Sequence, residues 1–229
     1  MLRKEITYKK AVTFSFDDGI AQDRRLVEMF NRYGVKATFN LNTGIQSPEN
    51  RFEIKGVEIH RMKQEGLEQL YQGHEIALHG LTHASPSGLT ADEYEKEFLQ
   101  DAKNIERLYG KYPVGMAYAY GDAPDAVVEY LKSIDIYYAR TVVSSYDFSL
   151  PKDLMRLAPT CHQNDERVFE LAEEFLGKQT EEPILFYVWG HSYEFDVHDT
   201  WEHMEKLLQL ISGKQDVFYG TNAECLGFV

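Results

Sequence analysis

Two cysteines in 229 residues, Cys161 and Cys225, lie far apart with no Cys-x-x-Cys spacing. Neither a redox pair, a structural zinc site nor a disulfide can be argued from them. Long apolar runs are missing too: no segment approaches the roughly 20 apolar residues a membrane helix requires. The opening MLRKEITYKKAVTFSF has no continuous apolar run of signal length and no small-residue cleavage site. The chain therefore reads as cytoplasmic as given, and as secreted if a leader has been removed. Positive charge is scarce: 24 Lys and Arg face 37 Asp and Glu, a formal net charge of −13. Such a field repels nucleic-acid phosphates and anionic membrane surfaces, so neither is expected as a partner. The densest basic stretch, Arg3, Lys4, Lys9 and Lys10, is interrupted by apolar and acidic residues and reads as a solvated strand edge. Low-complexity tracts, internal repeats and Pro/Gly-rich linkers are also lacking. A single domain over residues 1–229 is expected, with the oligomeric state left open.

What is present is alternation. Short β-rich runs at residues 11–16, 36–41, 75–79, 114–119, 137–142, 184–189 and 217–220 are separated by stretches with helical spacing of apolar residues, at 21–33, 61–71, 91–109, 125–133, 165–176 and 200–211. That is the pattern of βα units around a parallel sheet or barrel. The least regular stretches, 42–60 and 144–164, are too long for plain connectors and are candidate active-site loops.

Three clusters carry chemistry. Ser15-Phe16-Asp17-Asp18-Gly19 sets two adjacent carboxylates where the first strand ends, and the carboxyl ends of parallel strands are where ligands gather. A turn with a helix cap has the same composition. His79-Gly80-Leu81-Thr82-His83 follows the third strand; a helical turn there sets both imidazoles on one face at a spacing that suits a divalent metal, although chance matches to this spacing are common. Trp189-Gly190-His191-Ser192 follows the sixth strand, where a structural histidine is as reasonable as a catalytic one.

Together the clusters place two Asp and three His at one rim and supply the parts of a metal hydrolase. Asp18, His79 and His83 can hold one divalent ion, which polarises an acyl oxygen and lowers the pKa of its water to about 7. Asp17 can act as general base and His191 as general acid. Two imidazoles and one carboxylate favour zinc, while cobalt, nickel and manganese fit the same set.

SFDDG and GHEIALHGLTH (residues 73–83) resemble the TFDDG and GHEIxxHxxxH motifs of the polysaccharide deacetylase family, also called the NodB-homology or carbohydrate esterase family 4. The resemblance runs in order from the first strand to the sixth. It implies a deformed (β/α) barrel of about seven parallel strands, with Asp17 as base, Asp18, His79 and His83 as metal ligands, and His191 as acid.

Two departures stand out. The family's third motif, usually like RxPY, is here Ala117-Tyr118-Ala119-Tyr120-Gly121, without arginine or proline. Tyr120 still offers a backbone N–H to an oxyanion, and Arg140 in the next strand is a candidate replacement for the arginine that steadies the base. The fourth motif, whose aspartate tunes the acid histidine, has no clear match. Asp147 is the nearest candidate, with a solvated loop carboxylate as the alternative. Glu194 and Asp196 can orient His191, bind substrate hydroxyls, or simply face water. His162 reads as structural, and His60, His74, His198 and His203 as surface or packing residues.

The resulting expectation is a metal-dependent hydrolase that removes acetyl from an N- or O-acetylated carbohydrate. The alternatives are a hydrolase of a small intracellular amide on the same barrel, and an inactive carbohydrate-binding protein that kept the fold.

Overall fold

The computed structural model describes residues 3–228. The first strand, β1 (Lys10–Asp17), is buried along its whole length. A parallel strand covered on both faces must be so. Its even positions face outward: Phe14 and Phe16 lie 5.0 and 5.7 Å from Phe30 of helix α1 (Asp23–Tyr33). From Thr13 onward its odd positions are polar and face the barrel interior. Thr13 donates to Asn222 at 2.9 Å, Ser15 accepts from Asn40 at 2.9 Å, and Asp17 tops the column. This period of two sends the last inward residue of β1 to the carboxyl-end rim.

The chain continues with β2 (Ala37–Leu41), a hairpin of β3 (Arg51–Ile54) and β4 (Val57–His60), the single turn α2 (Leu67–Leu70) and β5 (Glu75–Leu78). Helix α3 (Gln100–Tyr109), β6 (Gly115–Ala117), α4 (Asp125–Ser133), β7 (Tyr138–Arg140) and β8 (Cys161–His162) follow. The last third holds α5 (Val168–Gly177), β9 (Ile184–Gly190), α6 (Glu194–His198), α7 (Trp201–Ile211), β10 (Val217–Tyr219) and α8 (Asn222–Leu226). The sheet runs β7-β6-β5-β2-β1-β9-β8, with β10 beside the first half of β1. All its pairings are parallel. This is the deformed (β/α) barrel expected from the motifs.

The gap between β7 and β8 is bridged by the chain leading into β8. Thr141 N donates to Leu157 O and Leu157 N to Ala139 O, both at 2.8 Å, and three residues further on Thr160 N donates to Tyr187 O, also at 2.8 Å. One segment therefore binds β7 with its first half and β9 with its second.

Several local expectations are corrected. Residues 42–60, expected as irregular, contain the β3–β4 hairpin, and residues 144–164 contain β8, whose two residues are too few to leave a pattern. Residues 91–109 are a 3₁₀ turn, a π-helical turn (Glu95–Leu99) and then α3, rather than one helix. Of residues 61–71 only α2 is helical. Lys10 lies on no solvated edge: β1 has a neighbour on each side, and the lysine, 5 % exposed, donates to Leu176 O at 2.7 Å. Both cysteines are free and buried. Among the described residues no helix is long and apolar enough to cross a membrane.

Candidate active site

Asp17 and Asp18 occupy the end of β1, where the chain turns sharply: Asp18 has φ 83° and Gly19 φ 62°. Left-handed backbone is strained for an aspartate, and such outliers gather at functional sites. A Cβ on Gly19 would in addition displace the ends of the Gln46 and Leu41 side chains. Asp17 is 2 % exposed and held by Arg140 Nη2, at 2.6 and 2.5 Å from its two oxygens, and by Asn40 Nδ2 at 2.7 Å. Burial pushes its pKa up. Arg140, His79 and His191 pull harder in the other direction and bring it to about 2. Arg140 is itself fully buried, donating also to Ser15 and lying 4.4 Å from the Trp189 ring.

His79 follows β5 and is 2 % exposed. Its Nδ1 lies 2.8 Å from Ala117 O, so Nδ1 carries the proton and Nε2 the lone pair. That Nε2 is buried with no hydrogen-bond partner among the described residues. The link to His83 is not a helical turn: Gly80 has φ 83° and His83 φ 60°. A loop forms because Glu97, turned inward at the π-helical turn, accepts from Thr82 N, Thr82 Oγ1 and Ala84 N at 2.9, 2.9 and 3.2 Å. Asn42 adds donors to the His79 and Gly80 carbonyls. The two imidazoles still converge, with ring centroids 4.7 Å apart.

Asp18 Oδ1 lies 3.8 Å from His83 Nε2 and 3.9 Å from His79 Nε2. One ligand atom from each of the three sits within 4.8 Å of the others. An orphaned imidazole nitrogen facing a carboxylate and a second imidazole fits a divalent cation by geometry and donor chemistry. Burial and the neighbouring His79 lower the pKa of His83 to about 4, so its nitrogen is free to ligate at neutral pH.

On the opposite side His191 Nε2 is 3.9 Å from Asp17 Oδ2, and His191 Nδ1 is 2.9 Å from Glu194 Oε1. Burial lowers the pKa of His191, but the Glu194 bond and the charges of Asp17 and Asp18 raise it overall. Glu194 is fixed in turn by Asn164 Nδ2 at 2.6 Å and Gln163 Nε2 at 3.2 Å. Tyr120 sits in a 3₁₀ turn after β6 with φ 60°, its side chain 68 % exposed and its ring 4.8 Å from that of His83.

The sequence profile of the polysaccharide deacetylase family matches residues 4–139, more than half the chain and a span that includes both aspartates and both candidate ligand histidines. The chain belongs to the polysaccharide deacetylase family. No curated protein sequence matches it. Solved structures agree on the fold. The chitin deacetylase of Colletotrichum lindemuthianum aligns over 100 % of this chain and 92 % of its own at 16 % identity, TM-score 0.63. A family 4 carbohydrate esterase from Streptomyces lividans, in complex with acetate, aligns over 96 % and 97 % at 14 % identity, TM-score 0.62. The Streptococcus pyogenes deacetylase PplD, also with acetate, aligns over 67 % of this chain and 65 % of its own at 18 % identity, TM-score 0.58.

Within this family member, Arg140 contacts Asp17 from β7, the strand beside the one after which the third-motif arginine is missing. Asp147 is engaged elsewhere. Its Oδ1 accepts from Phe148 N, Ser149 N and Ser149 Oγ in an exposed turn at 2.7, 3.1 and 3.2 Å, and the carboxylate beside His191 is that of Glu194. The spacing of Glu194 three residues after His191 was the available signal. Arg61, Asn40, Asn42 and Glu97 were not anticipated, since nothing in the chain's periodicity ties them to the rim.

Proposed function

We propose that this deacetylase-family protein is a metal-dependent enzyme that removes acetyl from an N- or O-acetylated carbohydrate. The observation that carries the reading is His79 Nε2, a buried lone pair without a partner, aimed where Asp18 and His83 also present theirs. Leaving such a nitrogen unsatisfied costs roughly 1–3 kcal/mol, which a cation bound by all three residues would recover. Asp18, His79 and His83 would hold the ion, zinc being favoured by the donor set. Bound there, it would polarise the acyl oxygen and acidify an adjacent water.

The chain's own residues supply the rest. Asp17, kept ionised by Arg140 and Asn40, accepts the proton of the attacking water. His191, protonated to higher pH than an ordinary histidine and oriented by Glu194, gives a proton to the leaving amine or alcohol. Base and acid are separate groups, and with 3.9 Å between them one can face the attacking oxygen and the other the leaving atom on a single tetrahedral carbon. The Tyr120 backbone N–H is the candidate donor to the oxyanion. Acetyl is supported by the acetate complexes of two structural neighbours and by the chitin-acting name of a third. Exposed Tyr120 and Val143 offer apolar faces on which a sugar ring can lie.

The test measures acetate release from N-acetylglucosamine oligomers, O-acetylated xylan and a small acetamide, using chelator-stripped protein with and without added zinc. Release from either glycan that needs zinc and is lost in Asp17→Asn supports the reading. Release from the acetamide alone moves the substrate to small amides, and no release from any of the three moves the protein to the carbohydrate-binding class.

A further inference from the structure

Asp18 answers to a second cation. The Oδ1 that faces both histidines also accepts from Arg61 Nη2 at 3.0 Å. Arg61 emerges at the end of the β3–β4 hairpin and is 8 % exposed. Its Nη1 donates to Asp18 O at 2.6 Å and to Asn42 Oδ1 at 2.9 Å. Asp18 is its ion-pair partner among the described residues. Arg140 pairs with Asp17 in the same way, so the two rim carboxylates are already matched by two guanidiniums.

We propose that Arg61 is a resident cation of the metal site, which neutralises Asp18 in the metal-free protein and holds the affinity for a divalent ion below what Asp18, His79 and His83 would give alone. The inference rests on reading those three residues as the ligands. A guanidinium stays charged at any working pH, and in a buried setting charges a few ångströms apart interact strongly. A dication entering beside Asp18 Oδ1 therefore meets a fixed positive charge already drawing on that oxygen. The same guanidinium lessens the penalty of an unpaired buried carboxylate before metal arrives. Arg61 also reaches Asn42, which holds the His79 and Gly80 carbonyls, so a purely positioning role is the rival account. The two differ in sign. Losing a positioning group loosens the ligands and weakens binding, whereas losing a competing charge tightens it.

The test is calorimetric zinc titration of chelator-stripped full-length protein at neutral pH. The wild type is compared with Arg61→Gln, Arg61→Lys and, as a control for the site, His83→Ala. Arg61→Gln is expected to bind zinc about tenfold or more tightly than wild type, and Arg61→Lys, which keeps the charge but not the fork, within about fivefold of it. Unchanged or weaker binding by Arg61→Gln overturns the proposal. If Arg61→Gln does not fold without metal, Arg61→Lys decides: a loss beyond fivefold shows that the hydrogen-bonding fork matters and the charge does not. Absence of one-to-one binding in the wild type, or its survival in His83→Ala, overturns the ligand reading itself, a failure distinct from that of Arg61's role.

Discussion

Glu194 holds the imidazole of His191, the residue proposed as the acid. His191 bonds it at 2.9 Å and its pKa is raised despite burial, so the protonated form persists above the usual value of about 6.5. An activity that needs this acid is lost as pH rises through the raised pKa. Glu194→Gln removes both the charge and the strong acceptor, and is expected to move the basic limb of kcat/KM down by about one pH unit while leaving zinc affinity unchanged; a limb that stays in place would remove Glu194 from this role. Asp17→Asn, which cannot take a proton, is expected to lower kcat by about 10²–10⁴-fold with zinc still bound. Asp23 shows the linkage in another form. It is fully buried between Ser192 and Tyr71, and burial raises its pKa from 3.8 to about 7 against the pull of those two hydrogen bonds. A raised carboxyl pKa favours the folded state below pH 4 and loses that advantage as pH climbs to 7, a change of about 4 kcal/mol. Thermal melts of Asp23→Asn and wild type should diverge over that window, the wild type losing stability relative to the variant as pH rises.

The His79–His83 loop illustrates how an element is set by groups outside it. Its histidine spacing suggests a helical turn, yet left-handed Gly80 and His83 cannot continue a helix, and Glu97 captures the amides a helix would have used. A Cβ on Gly80 would approach a Glu97 carboxylate oxygen to 2.7 Å. Gly80→Ala is therefore expected to destabilise by more than about 1 kcal/mol and to weaken zinc binding, read by melts and calorimetry on the same preparation. A variant as stable and as tight as wild type would show that the loop tolerates another path. The β3–β4 hairpin makes the same point: β3 alternates between exposed and half-buried residues and β4 buries only Ile59 fully, and the hairpin's importance to the site lies in delivering Arg61.

For the molecule as a whole, a ligand that binds only the folded barrel must stabilise it. At a hundredfold excess over Kd, zinc is expected to add about 2.7 kcal/mol and to raise Tm by roughly 5–10 °C for a chain of this size. His79→Ala should show no such rise, and an equal rise there would place the ion elsewhere. The barrel and its rim were legible because strand alternation and the strand-end motifs are local: β1 carries its own inward polar column and ends on Asp17; Asp18, His79 and His191 directly follow β1, β5 and β9, and His83 lies in the loop after β5. Arg140 was legible only as a neighbour in strand order, and its grip on Asp17 depends on how β7 faces β1 across the interior. Arg61, Asn42, Glu97 and the closure through residues 157–163 were beyond local reading, since each joins segments distant along the chain whose meeting depends on packing. The sequence by itself determined which groups are candidates for the chemistry and at which end of the strands they stand. The tertiary structure decided which cations neutralise them and which carboxylate holds His191, because charge pairing depends on distances that only the folded chain defines.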